Sequence, residues 1–271
     1  MLYRELQPRA SLARLVECFW ILEGTAVASD QQPERILPDG CVEVVLNLRA
    51  PMQELKPGGE DELQPRHFLV GQMTRPVIIK PTGAVELIGI RFHPGGTYPF
   101  FKFPMHETTN QVVDLFALSS ELARDLTDAV ESNAVLPLKV EALQKVLVKR
   151  VHDSKPTPSL VGLAADVVRN AGKVSLDALA RAAGLSNRQL ERRFTYEIGL
   201  GPKMFCRILR FQEVFRAVDR DDPNWAAIAS DCGYYDQAHL IRDFQQFAEQ
   251  TPATLLSASS DLTHAFTRKH R

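Results

Sequence analysis

The sequence predicts an α+β protein of two domains. The N-terminal domain is expected to be an antiparallel β barrel or sandwich with trailing helices, and the C-terminal domain to be all-α. Short runs rich in β-branched residues, such as CVEVVLNL and AVELIGIRF, occupy residues 34–103 and are bounded by turns that contain Pro and Gly. From residue 111 to 150 the apolar residues recur three and four positions apart, as in amphipathic helices. Beyond residue 160 the pattern is helical throughout.

These changes of pattern divide the 271 residues into five segments. The stretch HDSKPTPS contains two prolines and mostly polar residues, which is typical of a linker. The predicted segments are a β-rich sensor or dimerisation domain (1–118), amphipathic helices (119–151), a linker (152–159), a helical domain (160–258) and a flexible tail (259–271).

The composition is that of a soluble globular protein, with 45% hydrophobic residues, 24% charged residues and a formal net charge of -1. Residues 161–258 contain 12 Lys and Arg and 12 Asp and Glu, so a positive field in this segment requires an uneven distribution of charge. No run of eighteen apolar residues occurs, and we expect a cytoplasmic protein without a signal peptide or membrane span.

The cysteines lack the CxxC spacing of zinc clusters and redox motifs. We therefore expect reduced thiols, no bound metal and no cofactor. The cysteines are Cys18, Cys41, Cys206 and Cys232.

Two short helices joined by a tight turn are predicted around the stretch LSNRQLERRF. Ser175 and Ser186 are expected to be the N-cap residues of the two helices, and Gly184 to end the first. This arrangement is a helix-turn-helix.

The second of these helices has two distinct faces. Because successive residues advance by 100°, Leu190 and Phe194 share one face, while Arg188 and Arg192 share another with Gln189 beside them. Arginine suits planar hydrogen bonding to phosphates and guanines, although exposed arginines also occur on ordinary solvated helices.

The pattern repeats about fifty residues later. LARAAGLSNRQLERRF at 179–194 recurs as IASDCGYYDQAHLIRDF at 228–244, with one extra residue in the turn. Asp236 is the expected N-cap of the second copy, and Leu240 and Phe244 are expected to face inward. The outward residues of this copy are Gln237, Ala238, His239 and Arg242.

A longer helix is predicted between the two copies. It begins at Pro202, which the first turn of a helix tolerates, and PKMFCRILRFQEVFRAV spans roughly 25 Å at 1.5 Å per residue. If this helix holds the two outward helices near 34 Å apart, they reach successive major grooves on one side of a DNA duplex.

Residues 161–256 resemble the DNA-binding domain of the AraC/XylS family of bacterial transcription regulators. The resemblance rests on both copies, on GLGPKMFCRILR between them and on TPATLL after them. It departs at Gly201, where the family usually has Ser or Thr. The resemblance implies that each outward helix enters a major groove. The base contacts that it implies are Arg188, Glu191 and Arg192, then Gln237, Ala238, His239 and Arg242.

The N-terminal half resembles the uncharacterised β-rich domain that precedes the DNA-binding domain in a subset of these regulators. ILPDGCVEVVLNL, VGQMTRP and GIRFHPGGTYPFF carry this resemblance, which covers roughly residues 1–118. It implies a module that senses a signal or dimerises, without identifying a ligand.

A ligand site inside the β domain is a weaker hypothesis. A two-residue period places Cys41, Glu43, Val45 and Asn47 on one face of their strand. Arg91 and His93 share a face of a later strand, and with Glu43 and Glu86 they are candidates for an anion or metal site. The stronger interpretation is that these residues are surface or structural partners, since their spacing matches no established ligand motif.

The leading hypothesis is therefore a transcription regulator, with activation as the expected outcome and repression left open as the alternative. Its expected partners are double-stranded DNA, a second copy of the chain, RNA polymerase and a small-molecule effector. The helices at 119–151 are expected to pair with the second copy, although their apolar stripes would also serve to cover the sheet. The competing hypothesis is a metal-dependent, cupin-like enzyme domain tethered to DNA. We do not expect an enzyme, because HxH, HExxH and nucleophile-elbow motifs do not occur.

Overall fold

The computed structural model describes residues 1–24, 32–56, 58–153, 160–218 and 223–258. Most of the predicted linker and the whole predicted tail lie outside these residues. The predicted α+β organisation is confirmed, with a β-rich N-terminal domain followed by a helical C-terminal domain. The antiparallel strands form two sheets that do not close into a barrel.

The larger sheet has six strands in the order β1-β2-β9-β4-β7-β10, and the smaller has four in the order β3-β8-β5-β6. Within each sheet the neighbouring strands are antiparallel. The strands are β1 Leu2–Leu6, β2 Val16–Gly24, β3 Glu34–Ile36, β4 Val42–Asn47, β5 Met52–Leu55, β6 Glu62–Leu63, β7 His67–Val70, β8 Val77–Pro81, β9 Val85–Phe92 and β10 Val112–Asp114.

The large sheet is buried on both faces, and the alternation of residues along β4 shows how. Val42 and Val44 belong to the core between the sheet and the helices, whereas Val45 belongs to a second core that also contains Trp20 and Met52. The predicted two-face division of this strand is therefore confirmed.

The helices follow in two groups. Between the sheet and residue 153 lie α1 Tyr98–Phe101, a 3₁₀ turn Met105–Thr108, α2 Leu115–Leu118, α3 Ser120–Glu131 and α4 Leu136–Asp153. The C-terminal domain contains α5 Val161–Arg169, α6 Leu176–Ala182, α7 Asn187–Ile198, α8 Pro202–Ala217, α9 Trp225–Asp231, α10 Gln237–Ala248 and α11 Pro252–Ala258. None of the helices in the described ranges is long and apolar enough to cross a membrane.

Helices α3 and α4 cover one face of the large sheet. Their apolar residues Leu122, Leu126, Leu143 and Leu147 are all buried in the core that they share with the sheet. The apolar faces of both helices are thus buried against the sheet of the same chain. Pairing of these helices with a second copy stays a prediction.

The C-terminal core surrounds α8. Phe205 and Phe211 of this helix are fully buried, and Phe194, Phe244 and Phe247 pack around them from α7 and α10. Each of the two sequence copies folds as a helix-turn-helix, and α8 lies between them as predicted.

The predicted helix caps are confirmed. The side chains of Ser175, Ser186 and Asp236 accept hydrogen bonds from backbone N–H groups in the first turns of α6, α7 and α10. Gly184 and Gly233 follow the first helix of each copy with φ of 64° and 78°, a conformation that glycine adopts without strain.

Candidate nucleic-acid interface

Helix α7 presents two exposed arginines on one face. Leu190 and Phe194 are buried in the C-terminal core, which turns the opposite face of the helix outward. Arg188, Gln189 and Arg192 are exposed on that face. With Ser186 they line an open depression of about 380 Å³.

The start of α7 is fixed by a capping box. Ser186 Oγ accepts from the backbone N–H of Gln189, and the Ser186 N–H donates to Gln189 Oε1 at 2.8 Å. The Gln189 side chain is therefore committed in part to the helix start, with its amide nitrogen still available to a ligand.

The third arginine of this stretch has a structural role. Arg193 Nε donates to Glu197 Oε1 at 2.9 Å, and the same carboxylate accepts from the Leu160 N–H through Oε2 at 2.9 Å. Glu197 thus joins α7 to the start of α5 and is held by Arg193, while Arg188 and Arg192 project outward.

Glu191 lies where α7 approaches the start of α8. A Cβ at residue 201 would collide with the Glu191 carboxylate, so Gly201 makes room for it. A carboxylate at the N-terminus of a helix interacts favourably with the helix dipole. The structure places Glu191 exposed on α7 and beside this helix end, in the space that a Ser or Thr side chain would occupy.

Helix α10 presents a less charged surface. Gln237, Ala238 and Arg242 are exposed, and His239 is half-buried with its ring edge-to-face against Tyr234 at 5.2 Å between centroids. The structure therefore brings all four predicted residues of this copy to one helix.

Tyr235, which was not predicted from the sequence, is 94% exposed in the turn just before α10. The sequence feature that indicates this residue is the extra position in the turn of the second copy. The aromatic side chain there lies outside the helical period and packs against no core. Tyrosine is enriched in binding surfaces relative to the rest of a protein's surface.

Charge in the C-terminal domain is unevenly distributed. Among the described residues, four of its acidic side chains form ion pairs with arginines of the same domain: Asp166, Glu197, Glu213 and Asp243. Acidic and basic residues are equally numerous in residues 161–258. Even so, Arg188 and Arg192 on α7 and Arg242 on α10 form no ion pair with the described residues.

A segment of the β domain inserts into the C-terminal core. Leu37 is buried among the residues of that core. Gln212 Nε2 on α8 donates to the Pro38 carbonyl at 2.6 Å, and Gly40 approaches the ring of Phe205 so closely that a Cβ would lie 3.0 Å from it. We call residues 37–41 the docking segment.

The β domain also contacts the ends of both outward helices. Thr109 Oγ1 donates to the Gly199 carbonyl at the end of α7 at 2.7 Å. Arg35 Nη1 donates to the Ala248 carbonyl at the end of α10 at 3.0 Å. The position of each helix is thus linked to the N-terminal domain.

The structure pairs two of the candidate ligand residues of the β domain and separates the other two from them. Arg91 and Glu43 are cross-strand neighbours, with Arg91 Nε 2.6 Å from Glu43 Oε1. Asp39, which the sequence analysis did not select, binds Arg91 Nη2 at 2.5 Å. Glu86 instead pairs with Arg49 at the other end of β9, and His93 lines a separate cleft.

Neither metal binding nor thiol chemistry is indicated by the described residues. They contain no group of three or more His, Cys, Asp or Glu that could hold a metal ion. All four cysteines are free and buried. Burial raises the pKa of Cys206 and of Cys232 to about 11, so these thiols are protonated at neutral pH.

Two family models match the chain. A helix-turn-helix domain matches residues 179–258, and a domain of unknown function, DUF6597, matches residues 4–114. The first match covers both copies and α8, on which the AraC/XylS resemblance rests. The chain is therefore a DNA-binding transcription regulator with an AraC-type helix-turn-helix domain at its C-terminus.

Several solved structures are similar to this chain at low identity and with TM-scores below 0.5. ToxT from Vibrio cholerae O395 is 9% identical, with a TM-score of 0.44, and the match covers 86% of this chain and 99% of that one. An apo ToxT variant from Vibrio cholerae strain SCE256 is 8% identical, with a TM-score of 0.43 and coverage of 94% and 100%. The AraC-like transcriptional activator CuxR is 14% identical, with a TM-score of 0.29 and coverage of 80% and 94%. A search of curated proteins finds no match.

Proposed function

We propose that the chain binds a specific DNA sequence by placing α7 and α10 in successive major grooves of one duplex. The observation that carries this proposal is the repeated helix-turn-helix, in which each outward helix exposes at least one arginine that has no ion-pair partner among the described residues. The proposed contacts to DNA are Arg188, Gln189, Glu191, Arg192, Gln237, Ala238, His239 and Arg242.

These contacts differ in the base that each side chain would recognise. Arg188, Arg192 and Arg242 suit bidentate bonding to guanine O6 and N7, Gln237 suits adenine, and Ala238 offers only a methyl contact. Glu191 suits a cytosine N4 donor but lies beside the start of α8, so its position is more restricted than that of the arginines.

The N-terminal domain is proposed to control how the two helices are presented to DNA. Support comes from the docking segment and from the hydrogen bonds of Thr109 and Arg35 to the ends of α7 and α10. A change of state in the β domain would alter the orientation of both helices and hence DNA affinity. Dimerisation, an effector and contact with RNA polymerase are part of this proposal, with activation as the outcome.

Selection from a genomic fragment library tests the DNA-binding proposal. The full chain is suitable because Leu37 belongs to the C-terminal core, so an isolated C-terminal fragment would leave part of that core exposed. Retained fragments are sequenced after binding at two salt concentrations, since phosphate contacts alone give strongly salt-dependent, unselective retention.

We expect one motif with two half-sites about one helical turn, or roughly 34 Å, apart. A doubly substituted chain, Arg192→Ala with Arg242→Ala, serves as the comparison and should lose the selection. Retention without any common sequence would refute specific binding by α7 and α10.

A further inference from the structure

The turn between α5 and α6 joins the first helix-turn-helix unit to the second. Lys173 in this turn donates from Nζ to the Asp231 carbonyl at 3.0 Å, at the last residue of α9. Its side chain also covers Gly233 in the turn of the second unit, where an added Cβ would lie 2.8 Å from Lys173 Cγ. Because Ser175 caps α6 shortly after Lys173, the start of the first unit is held directly against the turn of the second.

Arg210 of α8 bridges the same two turns. Its Nη1 donates to the Gly172 carbonyl at 3.1 Å. Its guanidinium also lies over the ring of Tyr234, with Cζ 5.8 Å from the ring centroid, a distance at which a cation is attracted to an aromatic face. Gly172 can approach α8 because a Cβ there would lie 2.3 Å from the Cys206 carbonyl oxygen. One side chain of α8 thus contacts the segment before α6 and the turn before α10.

Tyr234 extends these contacts to a side chain on the proposed DNA surface. It is 5% exposed, and its backbone N–H donates to the Ala229 carbonyl of α9 at 2.9 Å. Its ring meets that of His239 edge-to-face at 5.2 Å between centroids. His239 lies in the first turn of α10 and is a proposed contact to DNA. The position of Arg210 is therefore linked through Tyr234 to that of His239.

The apolar core and these polar contacts act differently on the orientation of the two units. Both units pack on α8 through phenylalanine rings, as Phe244 of α10 does on Phe211 at 4.8 Å between centroids. Burial of apolar surface is non-directional, whereas hydrogen bonds weaken steeply away from their preferred angle. The core therefore attaches both units to α8, and the contacts of Lys173 and Arg210 fix the angle between them.

This angle matters because one base pair changes the separation of two half-sites by about 3.4 Å. A rigidly joined pair of helices can distinguish one spacing from the next, and a loosely joined pair cannot. We infer that Lys173 and Arg210 are positioning residues, which fix the orientation of α10 relative to α7 and thereby the half-site spacing that the chain recognises. The inference rests on the proposed function for the use of this orientation on DNA, whereas the orientation itself is a property of the free chain.

The orientation is measured first without DNA, in the full chain. Spin labels are attached to cysteines introduced at Ala178 of α6 and Gln245 of α10, which are exposed, whereas the native cysteines are all buried. Double electron-electron resonance then gives the distribution of distances between the two labels. We expect one narrow distribution, which broadens when Lys173→Met and Arg210→Met are combined, because methionine keeps part of each apolar stem and lacks the cation.

The matched control combines Arg169→Met with Arg216→Met. It removes the same charge from α5 and α8. These two arginines pair with Asp166 and Glu213 of their own helices, so the distribution of label distances should stay narrow.

A conservative pair of substitutions separates positioning from a general loss of stability. Lys173→Arg with Arg210→Lys keeps both cations and should restore most of the narrow distribution. Near-ultraviolet circular dichroism checks that each variant is folded. If the double methionine variant is unfolded, Lys173→Met alone takes its place, since this lysine is exposed.

Binding to DNA then shows whether the chain uses this orientation. The probes are the sequence selected from the genomic library and two derivatives, with one base pair inserted or deleted between the half-sites. The unsubstituted chain should bind the selected spacing about tenfold more tightly than either derivative. The double methionine variant should lose most of this preference, whereas loss of a phosphate contact alone would weaken binding to all three probes by the same factor.

The inference is overturned if the double methionine variant keeps the narrow distribution, if the control broadens it equally, or if binding to all three probes falls by one common factor. Absence of sequence selection by the unsubstituted chain would refute the proposed function alone, because the label distances still decide whether Lys173 and Arg210 orient α10. Sequence selection with an unchanged spacing preference in the variant would refute only this inference.

Discussion

The two helix-turn-helix units of the C-terminal domain have the same fold but are supported differently. The first unit, α6 and α7, contacts the β domain: Thr109 bonds to its last turn, and Tyr98 meets Tyr196 edge-to-face at 5.7 Å. The second unit, α9 and α10, is bonded to the β domain by Arg35 at the end of α10, and it packs on α8, whose Phe211 lies 4.8 Å from Phe244 between ring centroids. The two copies of this motif therefore have different packing partners.

The two units also differ in what they expose. Helix α7 presents Arg188 and Arg192, whereas α10 presents Arg242 together with Gln237 and the preceding Tyr235. The first unit thus has more exposed cations than the second unit. We expect the first unit to supply more of the salt-dependent affinity and to respond most to changes in the N-terminal domain.

The largest expected effect is on the attachment of the second unit. Phe211 is fully buried and contacts Phe215, Phe244 and Phe247 at 4.8–5.3 Å between ring centroids. Phe211→Ala should lower the free energy of unfolding by about 3–5 kcal/mol, because it leaves a cavity beneath α10. Chemical denaturation measures the loss. Phe116→Ala, at a 43% exposed phenylalanine, is the control and should change stability by less than about 0.5 kcal/mol.

Next in size are the arginines at the proposed DNA contacts. Arg192→Ala and Arg242→Ala should each weaken binding to the selected sequence by about 1–3 kcal/mol and relax specificity at one position of its own half-site. Competition titrations against single-base variants of that sequence measure both effects. Arg169→Ala removes the same charge from α5, where Arg169 pairs with Asp166, and should leave specificity intact. Equal losses on selected and random DNA would mean that the two arginines contact only phosphate.

A smaller effect tests the link between the β domain and the first unit. Thr109→Val removes the hydrogen bond to the Gly199 carbonyl and should cost about 1 kcal/mol of stability. Thr82→Val is the matched control, since Thr82 Oγ1 donates to the Pro51 carbonyl at 2.6 Å within the β domain.

Only the Thr109 substitution should alter DNA binding, and the change should appear in the half-site bound by α7. Footprinting of each half-site distinguishes the two variants. An identical footprint for Thr109→Val and the unsubstituted chain would show that this contact does not transmit the state of the β domain to DNA.

Sequence patterns predict the C-terminal domain well because its determinants are local. Ser186 and Asp236 cap their helices from a few residues away, and Leu190 and Leu240 are buried by the helical period alone. A match of the helix-turn-helix model to residues 179–258 agrees with that local pattern.

Contacts between distant residues were not predictable in this way. Glu43 and Arg91 were both selected from their strands, but their direct pairing depends on the register of β4 against β9. Asp39 had no periodic signal, because it lies in a turn whose position is set by Arg91 and by α8. The docking segment illustrates the same limit: Leu37 is an ordinary apolar residue in the sequence but belongs to the core of the other domain.

Substitution of Tyr235 has the smallest expected effect on DNA binding. It also tests most directly how the second unit differs from the first. At 94% exposure Tyr235 contributes little packing, so Tyr235→Ala should change stability by less than about 0.5 kcal/mol. If the side chain contacts the DNA backbone beside α10, affinity for selected and random DNA should fall together, about threefold by the usual conversion from roughly 0.6 kcal/mol.

The dependence of this affinity on salt identifies the contact. Tyrosine has no cationic group, so its removal should leave the slope of log affinity against log salt unchanged, whereas removal of a phosphate-bound arginine lowers that slope. Tyr235→Phe then separates the hydroxyl group from the ring. Tyr196→Ala is the control in the first unit, where the ring packs against Tyr98. A loss confined to the selected sequence would instead place Tyr235 against a base, and α10 would then have a sequence contact for which α7 has no counterpart.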